Sequence, residues 1–342
     1  MFKLKIDNQQ FNFFQGSIIN LDYNSIASSF SFSGQKDFTP PPLEYNRCEV
    51  IGENQEILIT GTILNPEYVA SPKAELIGVS GYSLPGILED CNIPVSLYPL
   101  QSDNLSLKQI VDRLLDPFGI NYIVTPNVLT DFNKKYIKTS ASPEQKIKDY
   151  INSLASQRGI ILTHDNLGNL VFTRIEPDLL IVDTEFDEGD PGIFEMSLQL
   201  DGQALHSEIT VIKQASNDSP NSGQSTIINP YVPIFRPITK ILNDGDLFDV
   251  EKAARNALGD ELRSIILNIS TTKFVKPGSK IKLRAPSLKI NVYTEFFVES
   301  TVISVTTKSI KYDLTCVLVD VFTQEKVYNI FDKQKYGSIP KF

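Results

Sequence analysis

One stretch constrains this chain more than any other: a capped helix that runs straight into a β-hairpin, between residues 142 and 174. Ser142 stands in N-cap position, Pro143 suits a first turn, and Gln145 occupies the capping-box position. Ile147, Tyr150, Ile151, Leu154 and Ala155 then recur at helical spacing and form one apolar face. Gly159 supplies the helix stop. Ile160, Ile161, Leu162 and Thr163 read as a strand, and a polar turn with Asp165, Asn166 and Gly168 reverses it into Leu170, Val171 and Phe172. A segment of this kind has its own core stripe and its own start and stop signals, so it predicts a small α/β body inside an otherwise β-rich chain.

A second helix with the same logic precedes it. Ser106 caps, Gln109 is in box position, and Leu107, Ile110, Val111, Leu114 and Leu115 form the stripe. Pro117 and Gly119 end it, and Tyr122, Ile123 and Val124 read as a strand. Residues 99–177 therefore form an α/β insert.

The flanks read as strands. Phe2, Leu4 and Ile6 alternate, as do Ile26, Ser28, Phe30 and Phe32, and then Ile57, Ile59, Gly61 and Ile63. Short strands between Asn, Gly and Pro turns predict a barrel-like domain over 1–98, completed by part of 178–215. Gln35 to Leu43, with Pro40, Pro41 and Pro42, reads as a loop, because proline removes ladder donors. Residues 178–342 form a second barrel-like domain. In it, Leu198, Leu200, Ile209, Val211 and Ile212 lie in strand-like segments, and Ser216 to Pro230 reads as a loop. A helix near 247–263 starts at Asp246 or Asp249 and carries Val250, Ala253, Ala254, Ala257 and Leu258 on one face. Ile310, Tyr312, Leu314, Cys316 and Leu318 alternate strictly, the pattern of a half-buried strand. The expected class is α+β, mainly β: two β-barrel-like domains with an inserted small α/β domain.

Composition narrows function by exclusion. The net charge is −9 over 342 residues. That balance argues against gripping nucleic acid, whose affinity comes from Lys and Arg on phosphates. No basic amphipathic helix points to a membrane surface. No run approaches the ~20 apolar residues of a membrane span. The alternating N-terminus lacks the continuous apolar stretch of a signal peptide, so folding in a cytoplasm is expected. Cys48, Cys91 and Cys316 lie far apart with no CxxC pair, which argues for small buried apolar residues over a zinc or redox site.

The candidates for chemistry are few. His164 sits at the hairpin turn, where an exposed polar residue is the default. His206 is followed by Ser207 and Glu208, but neighbours on a strand face opposite ways and make no triad. Gly81-Tyr82-Ser83-Leu84-Pro85-Gly86 resembles a nucleophile elbow, yet Pro85 takes the place of its last glycine, and no helix pattern follows. Asp183, Glu185, Asp187, Glu188 and Asp190 read as a solvated linker rather than a calcium loop, since no downstream bidentate Glu completes the pattern. No phosphate-cradling glycine motif is present. No catalytic, metal or cofactor-binding residue is assigned, and no cofactor is expected.

The order of motifs resembles the baseplate hub, or tail protein, family of contractile-tail phages of the Mu type. Four stretches carry the likeness. Gly81-Tyr82-Ser83 leads to Leu88-Glu89-Asp90-Cys91, like the family's strand ending in Gly and its Leu-x-Asp-Cys/Ser segment. Leu107 to Ile110 through Pro117-Phe118-Gly119-Ile120 is similar to its helix and P-F-G-hydrophobic passage. Ser142 to Arg174, with Arg158-Gly159-Ile160 and Asp165, Gly168 and Leu170, is similar to its helix, R-G-hydrophobic strand and D-x-x-G-x-L turn. Pro277-Gly278, Ile281, Leu283, Ala285 to Leu288, Phe297-Val298 and Leu314 look like the C-terminal barrel strands.

The resemblance implies a structural protein without a catalytic site, a homotrimeric symmetry adaptor. One face would meet the sixfold tail tube and the other would seat the threefold spike. It also implies contacts with other baseplate proteins, a channel that passes DNA without binding it specifically, no stable membrane association, and a place in the virion tail after synthesis in a bacterial host. The acidic balance fits such a channel. The alternatives are a polysaccharide-active lytic tail enzyme and a receptor- or glycan-binding tail module.

Overall fold

The structure, a computed structural model, describes residues 2–7, 9–11, 15–35, 45–70, 76–213, 223–242, 250–323 and 329–331. Residues 36–43 of the segment expected as a proline loop, residues 216–222 and the expected helix starts Asp246 and Asp249 lie outside them, and Gln35, the expected start of that loop, instead ends the strand Ser29–Gln35. Contacts divide the chain into two compact units, one of residues 1–174 with 300–313, the other of 175–299 with 314–342. The expected class is borne out: the chain is mainly β with an α/β portion.

In the first unit an antiparallel series of strands starts from residues 300–306 of the long strand Ile290–Thr306. It continues through Gly16–Asp22, Ser29–Gln35, Leu76–Ser83, Ile57–Val69, Arg47–Ile51, Lys3–Ile6 and Gln9–Phe11. Of the alternating residues expected inside, Phe2, Leu4, Ile6, Ile26, Phe30, Phe32, Ile59 and Ile63 are buried, while Ile57, at the start of its strand, is only half-buried and Leu58 is buried in its place. Where Ile57–Val69 and Leu76–Ser83 cross, their register slips between Ile63 and Asn65. Glycines 61 and 81 occupy that crossing. A Cβ there would meet the partner backbone, so only glycine lets the strands approach.

The α/β portion has a core of its own. Ile110, Val111, Leu114, Ile147, Tyr150, Ile151 and Leu154 from the two helices pack with Phe132, Leu162, Leu170 and Phe172. The helix Leu107–Leu115 carries the full Ser106–Gln109 capping box, as expected. The helix Ile147–Gln157 starts later than Ser142 and has no side-chain cap. Ser142 and Gln145 do bond reciprocally, but they close a separate turn. Lys146 then forms an extended bridge with Asn92, which keeps it out of helical geometry and postpones the helix to Ile147. Gly159 ends that helix with φ +63°, and Gly119, with φ +61°, closes the tighter turn Asp116–Phe118 that follows the earlier one. Three short strands complete the body, with Leu170–Thr173 between a parallel Tyr122–Val124 and an antiparallel Ile161–His164.

The second unit corrects two expectations. The acidic run is no linker, because Val182–Asp187 is a strand parallel to Lys280–Ala285. Cross-strand charge explains it: Glu185 faces Lys282 and Asp187 faces Arg284 across the ladder. Part of the expected loop 216–230 is also a strand, Gly223–Ile228. It flanks Glu208–Lys213, with the parallel strand Pro237–Leu242 on the other side. The helix Val250–Leu262 packs Ala253 and Ala254 against Val211 and Ile227 of this small sheet, in line with the predicted face. Elsewhere in the unit, Ile193–Leu200 pairs antiparallel with Ile265–Thr271. Leu314 and Cys316 of the strand Ile310–Leu318 are buried, as the alternation predicts.

Candidate functional site

The residues singled out for chemistry fall in different places, and the structure does not gather them into one centre. Ser83 ends a strand and a short helical turn does follow it, Leu84–Gly86 running into Ile87–Asp90, contrary to the expectation that none would. The elbow reading still fails on access. Ser83 is 0% exposed, and its Oγ accepts the backbone N–H of Ser28 at 3.0 Å.

His206 turns away from Ser207. Its backbone N–H donates to Glu261 Oε2 at 2.9 Å, and its Nδ1 lies 3.0 Å from Glu261 Oε1. Ser207 Oγ instead accepts the backbone N–H of Arg236 at 2.7 Å. Glu261, itself buried, thus ties the last turn of the helix Val250–Leu262 to the entry of the small sheet.

The acidic strand is partnered by cations and hydroxyls. Asp187 accepts from the Tyr293 hydroxyl and from Arg284 Nε at 2.7 Å. These donors, Tyr293 first, hold its carboxyl below the usual carboxylate range. Ser287 does the same for Glu188. Among the described residues no three His, Cys, Asp or Glu side chains form a group that could hold a metal ion.

His164 corrects the expectation of an exposed turn residue. Its Nε2 lies 2.8 Å from Ser28 Oγ and its Nδ1 lies 2.9 Å from the Ser25 carbonyl oxygen. A carbonyl only accepts, so the proton belongs on Nδ1, and Nε2 accepts from the Ser28 hydroxyl. Ser28 Oγ in turn accepts the backbone N–H of Asp22 at 3.2 Å. This is the nearest approach to a serine–histidine dyad. It lacks the oriented carboxylate behind the imidazole, and Ser28 is only 3% exposed. Burial pushes the His164 imidazole below its ordinary range, against the opposing pull of the Ser25 carbonyl and of Asp22, Asp165 and Glu89.

Sequence reading missed the outer face of the small sheet. Ile228 and Ile241 are more than half exposed there, as are Ile234 and Phe235 in the segment that leads into the strand Pro237–Leu242. The signal was the β-branched run Thr226-Ile227-Ile228, masked by the Ser, Asn, Gly and Pro around it. Among the described residues no helix is long and apolar enough to cross a membrane.

Residues 85–174 match the family described as baseplate hub protein gp44-like, second domain. The resemblance drawn from the ordered motifs is borne out here, since the P-F-G passage and the helix-to-hairpin segment both fall inside the match. No curated protein matches the chain in sequence. The fold is similar to that of the 43 kDa tail protein of prophage MuSo2 from Shewanella oneidensis. That likeness has a TM-score of 0.78 at 20% identity and covers 94% of this chain and 98% of that one. The tail protein from Neisseria meningitidis MC58 is similar with a TM-score of 0.78 at 19% identity, over 95% and 98% of the two chains. The E. coli c3393 protein, described as a type VI secretion component similar to the T4 tail proteins gp27 and gp5, has a TM-score of 0.58 at 11% identity. There the coverage is 99% of this chain and 79% of that one.

Proposed function

We propose that this protein is the structural hub of a contractile phage-tail baseplate or a related injection machine, a homotrimer that joins a sixfold tail tube to a threefold spike. The observation that carries the reading is the match of residues 85–174 to a hub domain, set in a chain whose fold follows phage tail proteins nearly end to end. The two β-rich portions, 1–98 and 178–342, serve as the two barrel-like domains and 99–177 as the insert. Two such domains in each of three subunits present six similar contact surfaces, and a head-to-tail interface that closes gives a ring. Tail proteins and a secretion-machine component are similar in fold, which supports partners of the same kind: a spike, the tube and other baseplate proteins. The net charge of −9 suits a channel through which DNA passes without being held. The role is structural rather than catalytic, in the virion tail, after synthesis in the host cytoplasm and without stable membrane attachment.

Mass measurement in solution at high protein concentration, followed by image reconstruction of the assembled particle, tests this. A closed trimer seated between tube and spike is expected. A strictly monomeric or dimeric chain that is absent from the baseplate, or a glycan-cleaving activity abolished by one carboxylate substitution, overturns it.

A further inference from the structure

The hairpin of the hub-like α/β portion meets the β-rich part of the first unit at three points, one on the strand Ile57–Val69, one on the turn Leu84–Gly86 and one on the segment between the strands Gly16–Asp22 and Ser29–Gln35. Asn166 donates through Nδ2 to the Ile57 carbonyl at 2.9 Å, and its own carbonyl accepts from the Thr60 hydroxyl at 2.9 Å. Gly168, with φ +85°, lies so close beneath Leu84 that a Cβ would meet its Cδ1 at 2.8 Å. His164 makes the third point, through Ser25 and Ser28. Only this last point carries a group that titrates near neutral pH.

We infer that His164 makes the docking of this hairpin pH-sensitive, so that the clasp holds at neutral pH and loosens in mild acid. The hydrogen-bond geometry sets the direction. With Nδ1–H on the Ser25 carbonyl, the chain from the Asp22 amide through Ser28 Oγ to Nε2 is complete only when Nε2 is bare. A proton on Nε2 faces the Ser28 hydroxyl, whose hydrogen then has to leave its acceptor inside a buried site. It also places a cation on a ring that is partly withdrawn from solvent.

The charged groups around the ring come from each element packed on it. Asp22 ends the strand Gly16–Asp22, Asp165 lies in the hairpin itself, and Glu89 comes from the short helix Ile87–Asp90. Glu89 is already paired with Lys148 at 3.2 Å. These carboxylates oppose the effect of burial without reversing it, and His164 stays below its ordinary range. The released hairpin then binds a proton that the docked one refuses. Stability is fully present above the ordinary imidazole value of about 6.5, and it declines as pH falls from there towards the lowered docked value. Asp22 works in the opposite sense, because burial raises its carboxyl and protonation relieves that cost.

Hydrogen exchange on the full chain, corrected for the intrinsic pH dependence of the rates, tests this. Protection of the amides of Ile161–His164 and Leu170–Thr173 should fall by up to about fivefold between pH 6.5 and 5.5, the limit for one linked proton taken up at the ordinary imidazole value. Protection of the helix Val250–Leu262 should not change. His164→Gln keeps a donor and an acceptor but takes no proton, and it leaves Asp22, Glu89, Asp165 and Lys148 in place. Its hairpin protection should be flat over the same range. An unchanged wild-type hairpin, or an equal loss in the variant, overturns the inference. If the variant does not fold, the wild-type imidazole titration read by NMR decides, with His206→Gln assigning the two signals. A His164 midpoint at or above the ordinary value sinks the idea, and one well below it supports it.

Discussion

A Cβ placed on Gly81 would stand 2.0 Å from the carbonyl oxygen of Thr62 on the neighbouring strand. The relation is reciprocal, since a Cβ on Gly61 would stand 2.1 Å from the Tyr82 carbonyl. Backbone cannot yield as the end of a flexible side chain can, so the strands would have to part. Gly81→Ala should destabilise the first unit by at least about 1–3 kcal/mol, the range of overpacked sites. Urea unfolding followed by tyrosine fluorescence measures this. A wild-type midpoint for Gly81→Ala would show that the strands do not approach so closely.

The α/β portion should depend on Leu154 and Arg158 for different reasons. Leu154 is 3% exposed within the helix-facing core, so Leu154→Asp buries an unpaired carboxyl and should cost more than about 3 kcal/mol. Arg158 donates to the carbonyls of Asp131 and Lys134, and its guanidinium lies 3.5 Å from the centroid of the Tyr136 ring. Arg158→Ala takes the donor from the Lys134 carbonyl, while the Asp131 carbonyl keeps the Lys134 backbone N–H, and it should cost about 1–3 kcal/mol. Thermal melting of both variants checks the order. A smaller effect for Leu154→Asp than for Arg158→Ala would contradict the packing described.

These cases show what the sequence could and could not reveal. Ser106 with Gln109, and the stripe from Leu107 to Leu115, were legible because capping and helical spacing are local. So was the alternation of Tyr312, Leu314 and Cys316. The late start at Ile147 was hidden because it depends on a bridge from Lys146 to Asn92, distant in sequence. The strand Val182–Asp187 looked like a linker because its charges are answered by Lys282 and Arg284, about a hundred residues away. His164 looked exposed for the same reason: its partners Ser25 and Ser28 belong to the opposite end of the first unit's chain. Polar residues disclose their burial only when their partners are known.

The three cysteines should separate by reactivity. Cys316 is 0% exposed, and burial, aided by Glu299, pushes its thiol far above the ordinary range. Cys48 is buried as well, and burial pushes it up to about 12. Cys91 is only half buried, against the expectation that all three would be buried. The thiolate is the reactive form, so a raised value slows attack as surely as burial does. At pH 8 in the native protein, Cys91 should label first, with Cys48 and Cys316 slow until denaturant is added. Peptide mass analysis of a timed labelling reaction reads the order. Fast native labelling of Cys316 would place that face of the strand Ile310–Leu318 in solvent.

Glu261 should anchor the small sheet of the second unit to its helix. One carboxylate accepts two N–H groups from His206, the backbone amide on Oε2 and Nδ1 on Oε1. Glu261→Ala leaves a partly buried backbone donor without its acceptor, a loss of about 1–3 kcal/mol. Glu261→Gln keeps one carbonyl oxygen of similar reach, so it should recover part of that stability. The helix Val250–Leu262 and the strand Glu208–Lys213 should lose hydrogen-exchange protection together in Glu261→Ala, while the helix Leu107–Leu115 keeps its own. Equal stability of the alanine variant and the wild type would show that the bond holds nothing in place. A loss shared equally by Leu107–Leu115 would show that the two units do not unfold separately.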